Sequence, residues 1–228
     1  MLKDVIQKIP LYTLSESGAV AVSIDLHLIA DSLGMNLDAG NSVLYMGDNP
    51  ENGFEFYYNG TNTLYIYLYC QGVRKNGSGD SISAPVNSNN AYLYYIKGKS
   101  GTVAFGISSD GSVKFQFICG KAINIVDALE KYGYLLCVYG SYANSGTYVM
   151  SDGYYKSNWF DSGGLQEVSD YFAQFHPMCS HQGDLFENVY VATIFKQTTD
   201  YQLFTMNDKN YAALNMGKNN GIRYITEF

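Results

Sequence analysis

His176, Cys179 and His181 fall within six residues of the stretch FHPMCSHQGDLFE, with Asp184 and Glu187 close behind. A thiol, two imidazoles and two carboxylates in one short segment are the raw material for a zinc site or for a cysteine nucleophile. Zinc needs thiolate and imidazole donors converging on one point, usually four of them at a recognisable spacing. That spacing is absent: Cys70, Cys119 and Cys137 stand alone, and the chain contains no C-x-x-C. A nucleophile needs a histidine within hydrogen-bond reach, itself oriented by a third group, and closeness in sequence does not supply that geometry. The plainer account is a helix C-terminus at which His176 meets the negative end of the dipole, followed by a polar loop. It is preferred, so no metal ligand and no catalytic residue are assigned.

Other chemistries leave weaker traces. No G-x-G-x-x-G, Walker loop, G-x-S-x-G or H-E-x-x-H occurs, which disfavours the common nucleotide enzymes and serine hydrolases. Asp152, Asp161, Glu167 and Asp170 lie close together, and a glycosidase needs only two carboxylates at the correct separation. Surface solvation is the more ordinary reason for such a group. The chain is therefore expected to be non-enzymatic and to carry no cofactor, with a hydrolase using Cys179 or a carboxylate pair as the third reading.

Recognition chemistry is better represented. The chain holds 22 Tyr, 12 Phe and a single Trp, and tyrosine offers rigid contact area with a polar tip at low entropic cost. In SDGYYKSNWFDSGG, read as a loop, Tyr154, Tyr155, Asn158, Trp159 and Asp161 combine flat rings with planar amide and carboxylate groups. That is what a sugar-binding or protein-binding surface requires, although Trp159 and Phe160 could instead plug the end of a sandwich. In TLYIYLYC, alternation sends Leu64, Ile66 and Leu68 to one face and Tyr65, Tyr67 and Tyr69 to the other. The aliphatic face is expected in the core and the all-tyrosine stripe against another subunit or layer.

The elements that must position these groups are mostly strands. Runs such as VLYM, GFEFYY, AYLYYIK, TVAFGI and SVKFQFIC are separated by Gly, Asn, Asp and Ser clusters. Asp110-Gly111 and Asn59-Gly60 each mark a hairpin. Residues 20 to 28 alternate as a strand, while Val22, Leu26, Ile29 and Leu33 share helical spacing that Gly34 could close. The reading is a strand running into a short helical turn. The polar stretch 71–90 is read as an exposed excursion between two strands of one sheet. Helices are expected in NIVDALEKYG, with Asn124 as N-cap, and in SGGLQEVSDYFAQFHP, ended by Pro177. The C-terminal strands NVYVATIFK, YQLFTM, YAAL and GIRYITEF are read as a meander. The fold class is thus mainly β: an antiparallel β-sandwich or jelly-roll-like barrel with two accessory α-helices. One domain is expected over residues 1–228, with a soft boundary near Gly120.

A net charge of -7 and a pI near 4.8 leave no basic face for phosphates, which makes nucleic acid and anionic membrane poor candidates as direct partners. No secretory signal interrupts the polar N-terminus and no apolar run is long enough to span a bilayer, so assembly in a cytoplasm with four reduced thiols is expected. The Tyr-, Asn-, Gly- and Ser-rich short strands, the scarcity of Pro and Arg, and the ending FTMNDKNYAALNMGKNNGIRYITEF together resemble bacteriophage virion proteins, especially tail, baseplate or fibre-associated components. The likeness is one of texture and carries over no site residue. It implies a virion structural or host-attachment protein that meets copies of itself, other virion proteins or a host surface glycan. A carbohydrate-binding module is the alternative.

Overall fold

The computed structural model describes residues 5–75, 81–108, 115–124, 126–138, 144–150, 153–160, 172–179, 184–194, 201–206, 208–214 and 221–228. The chain opens with β1 (Ile6–Pro10), β2 (Tyr12–Leu14), β3 (Val20–Val22), helix α1 (Leu26–Leu33), β4 (Asn36–Asp38), β5 (Val43–Tyr45), β6 (Gly53–Tyr58) and β7 (Thr63–Cys70). It continues through β8 (Val73–Arg74), β9 (Ser81–Pro85), β10 (Tyr92–Lys97), β11 (Val103–Ser108), β12 (Phe115–Asn124), β13 (Glu130–Val138), β14 (Asn144–Met150) and β15 (Gly153–Phe160). The last strands are β16 (Phe172–Cys179), β17 (Asp184–Ile194), β18 (Tyr201–Met206), β19 (Lys209–Leu214) and β20 (Gly221–Glu227). The protein is mainly β and its pairings are antiparallel.

The smaller, six-stranded sheet forms around the β6–β7 hairpin. Its turn follows from Asn59-Gly60: Gly60 takes φ +79°, and the Asn59 side-chain oxygen accepts from the backbone N–H groups of Thr61, Asn62 and Thr63. That turn fixes Tyr57 opposite Tyr65 and Glu55 opposite Tyr67. On β7 the sequence alternation becomes burial, with Leu64, Ile66, Leu68 and Cys70 buried and the residues between them half-buried. β4 and β5 extend the sheet beyond β6, while β8 and β9 both pair with the far edge of β7. The stretch 71–90 is therefore more than an excursion. It contributes two short strands, and it joins β7 of this sheet to β10 of the other. Ala84 and Val86, isolated apolar residues in a polar context, are the buried anchors that make this possible.

The larger sheet contains twelve strands, running β1-β10-β11-β12 and then, through β12, both to β13-β14-β15 and to β17-β20-β19-β18, with β16 on the outside of β17. It curls into a half-barrel. The C-terminal order departs from a simple meander: β20 lies between β17 and β19, so three hairpin-connected strands return to the first in Greek-key fashion. Gly120 lies inside β12 rather than at a strand end.

Two expectations for helices are corrected. In NIVDALEKYG the chain makes the tight turn between β12 and β13. Asn124 Oδ1 accepts from the N–H groups of Val126 and Asp127, Asp127 Oδ1 accepts from Leu129 N, and Ala128 adopts φ +58°. An Asn that can cap a helix can equally close a turn, and the long register between β12 and β13 decides the outcome. Val126 and Leu129 are consequently exposed. In the second segment, Phe172–Cys179 forms β16, paired with β17, and the preceding residues 161–171 lie outside the described residues. The helix among the described residues is α1, in the segment that read as strand followed by helical turn. Asp25 accepts from Leu28 N at its start, Gly34 ends it at φ +71°, and Ile29, Ala30 and Leu33 are buried.

The core lies between the two sheets. Phe54 of β6 meets Phe105 of β11, Phe117 of β12 and Tyr134 of β13 edge-on, at 5.3, 5.2 and 5.5 Å between ring centres. Phe105 and Phe117 stack at 4.8 Å. Tyr134 is fully enclosed, and its hydroxyl accepts from Met46 N at 2.7 Å, which joins β13 to the end of β5. Cys70 and Cys119 are free and buried, and burial raises the Cys119 thiol pKa.

A second buried layer lies on the opposite face of the larger sheet. Ile96, Ala104, Ile118 and Leu135 sit on adjacent strands in register and point away from the main core, yet are fully buried. β19 lies against β11, and Phe186, Val189, Tyr211, Ala212 and Thr226 of the C-terminal strands are buried as well. This layer is fastened at Glu227, whose carboxylate accepts from Lys99 Nζ at 2.6 Å and from Lys209 Nζ at 3.1 Å. Burial pushes the Glu227 pKa upward, but the two lysine hydrogen bonds and charges outweigh it, and the net shift is downward. A carboxylate with a depressed folded pKa contributes stability above its unfolded value and loses it as pH falls through the folded one. The stability difference between the wild type and Glu227→Gln is expected to be full near neutrality and to shrink below about pH 4.3. Urea melts from pH 7 to pH 3 measure it, and a constant difference would contradict the assignment.

Candidate functional site: a tyrosine face on the smaller sheet

The outer face of the β6–β7 hairpin is a connected aromatic surface. Tyr57 and Tyr65 meet at 6.0 Å, and Tyr65 and Tyr67 stack at 6.1 Å with planes only 14° apart. Alternation places these rings on the side opposite Leu64, Ile66 and Leu68, and the hairpin register brings Tyr57 into line with them. Tyr57 is 45% exposed, and Tyr65, Tyr67 and Tyr69 are half-buried.

One ion pair braces this surface. Arg74 of β8 donates from Nε and Nη2 to the two carboxylate oxygens of Glu55, a bidentate contact. Its guanidinium lies 4.4 Å from the Tyr67 ring centre and 5.2 Å from that of Tyr57. Arg74 is thus held by Glu55 while resting on two rings, and its pKa is raised mainly by the hydrogen bond to Glu55. Tyr69 donates from its hydroxyl to Gly72 O at 2.8 Å. Its pKa is raised by burial first and then by the negative charges of Glu55, Asp38 and Glu51.

Of the residues singled out in the sequence, Tyr65, Tyr67 and Tyr69 stand together as the alternation required. Tyr154, Tyr155, Asn158 and Trp159 are placed differently from the expectation: Gly153–Phe160 is strand β15, paired along its length with β14, and not a loop. Four of its eight residues, Tyr154, Tyr155, Trp159 and Phe160, are aromatic and so β-favouring, which suits an extended ladder better than a turn. Asp161 lies outside the described residues. The partner strand of β15, β14, also lies against β7. His176 and Cys179 are in strand β16, opposite Val191 and Leu185, so the helix C-terminus expected at His176 is replaced by a sheet edge. His181 lies outside the described residues. Among the described residues no group of three or more His, Cys, Asp or Glu side chains could hold a metal, and no helix is long and apolar enough to cross a membrane.

Sequence reading missed Tyr57, Glu55 and Arg74. The signal for the first two was present, since the Asn59-Gly60 turn fixes the register that puts them beside Tyr65 and Tyr67. Arg74 was hidden by the polar composition around it. No protein-family model, curated protein or solved structure matches the chain significantly.

Proposed function

We propose that this chain is a non-enzymatic assembly or attachment protein, of the phage virion type that its composition resembles, acting through the tyrosine face of its smaller sheet. Its two sheets are read as a sandwich that presents this face outward. The observation that carries the proposal is the ring series Tyr57, Tyr65 and Tyr67, ordered in advance by Arg74 and Glu55. Side chains already fixed lose little entropy when a partner covers them, so the surface suits recognition better than a set of free rotors would. Repeated copies would make individually weak contacts strong by multivalency.

Tyr67→Asp places a second carboxylate beside Glu55 and removes a ring from the stack. The variant is expected to dissociate an oligomer or release a partner, and truncation of a true anchor costs about 2 kcal/mol or more of binding free energy. Sedimentation measures the mass, with Tyr65→Ala as the milder variant that keeps the Arg74–Glu55 brace. Unchanged mass and partner retention in both variants would count against the proposal.

A second reading, a glycan-binding module, is favoured by one feature. The nearly coplanar Tyr65–Tyr67 pair forms a flat platform of the kind on which sugar rings stack. Saturable glycan binding by a monomer, lost in Tyr65→Ala, would support it over assembly.

A further inference from the structure

We infer that a separate cleft, on the opposite side of the smaller sheet from the tyrosine face, binds a small neutral phenol. The cleft has a volume of about 210 Å³ and is lined by Val22, Ile24, Leu26, Ser42, Phe56, Tyr58 and Leu64. Its floor is the edge of the main core: Leu64 is fully buried and Phe56 nearly so, while Val22, Ile24, Leu26 and Tyr58 pack partly against that core. One wall is a separate two-stranded ribbon, formed by β2 and β3 with Tyr12 opposite Val22, together with the start of α1. Asp25 fixes the helix start, and Ser23 N donates to Leu11 O at 3.0 Å to hold the ribbon end.

Size and chemistry narrow the ligand. A dry apolar cavity of about 150 Å³ accepts benzene, so this cleft has room for one substituted ring and little more. The rings of Phe56 and Tyr58 offer edges and faces to an aromatic guest. No charged side chain lines the cleft, and an ionic ligand would lose water there without gaining a partner. Two of its lining residues, Ser42 and Tyr58, carry hydroxyls, and among the described residues neither makes a side-chain hydrogen bond. They can serve one ligand O–H as acceptor and donor. Ser42 also adopts φ +56°, a left-handed conformation uncommon for serine, and is held there by its carbonyl accepting from Phe56 N at 2.9 Å.

The test uses the whole chain, with methyl NMR signals of Val22, Ile24, Leu26 and Leu64 followed during titration with p-cresol and, separately, toluene. Saturable shifts confined to these methyls are expected with p-cresol, with affinity about tenfold above toluene, the value of roughly one hydrogen bond. Tyr58→Phe and Ser42→Gly should each erode that preference while leaving toluene binding in place. Val22→Phe, on the half-buried ribbon, should fill the cleft and abolish saturation; if it fails to fold, Tyr58→Phe, which removes a single oxygen, decides. No saturable shift up to the solubility limit overturns the inference. Equal affinity for toluene and p-cresol overturns the phenolic assignment, and shifts that appear without ligand as the protein is concentrated assign the cleft to a side chain of a second copy instead. Tyr65→Ala should leave p-cresol binding unchanged, so failure here and failure of the tyrosine-face proposal are distinguishable.

Discussion

Phe54→Ala is expected to lower folding stability by about 3 to 5 kcal/mol, the range for removing a large aromatic from a packed core. The position warrants the upper part of that range. Phe54 is fully buried, and it touches three rings of the larger sheet at once. Those three rings come from successive strands that are themselves hydrogen-bonded, so they cannot close the gap without breaking sheet register. A small domain holds only about 5 to 15 kcal/mol in total, so the variant should be partly unfolded or strongly lowered in melting temperature. Urea melts of the purified chain measure the change. A loss below about 1 kcal/mol would mean that the two sheets are not joined through this cluster.

The second large effect is expected at Gly98, at the turn between β10 and β11. A Cβ there would fall inside the envelope of Thr226 Cγ2 and 2.8 Å from the backbone oxygen of Glu227. The Glu227 oxygen is strand backbone and cannot rotate away, and Thr226, whose methyl is the other obstruction, is fully buried. Gly98→Ala must push β20 outward or distort the turn, and overpacking of this kind costs about 1 to 3 kcal/mol. The distribution of the damage is the sharper prediction. Amide hydrogen exchange should speed up in β19 and β20 and along their seam with β17, while β6 and β7 keep their protection. Uniform loss of protection across both sheets would show that the C-terminal layer has no separable stability.

Much of this architecture could be read from local residue patterns, and the failures share a cause. The alternation in TLYIYLYC translates directly into one buried and one half-buried face, because a strand repeats every two residues and its neighbours on both sides were also strands. Asn59-Gly60 fixed a turn and, through it, the register of four tyrosines and a carboxylate. NIVDALEKYG failed because Ile125, Ala128, Leu129 and Tyr132 have helical spacing, whereas the segment spans only a turn between two long strands. Local spacing there was overruled by pairing between Phe115–Ile123 and Glu130–Val138. The second buried layer was invisible for a different reason. Ile96, Ala104, Ile118 and Leu135 lie in strands whose two faces are both covered, so alternation cannot reveal which partner covers which face. The site was legible in the same proportion: the stripe on β7 followed from one strand, while Arg74 and Glu55 required the fold of three.

The pairing of the first strand has a consequence for how the protein is made. Among the described strands β1 pairs only with β10, with Ile6 opposite Ile96 and Ile9 opposite Leu93. During synthesis the first strand therefore emerges long before its partner exists, and the intervening chain must complete the smaller sheet in the meantime. Hairpins such as β6–β7 can form as soon as they leave the ribosome, because their contacts are local, whereas closure of the N-terminus waits for a distant segment. Until then Ile9 and Leu11 lack the part of their core that the larger sheet supplies. Translation speed between residues 10 and 97 would set the yield of correctly folded chain, an influence that the finished structure no longer displays.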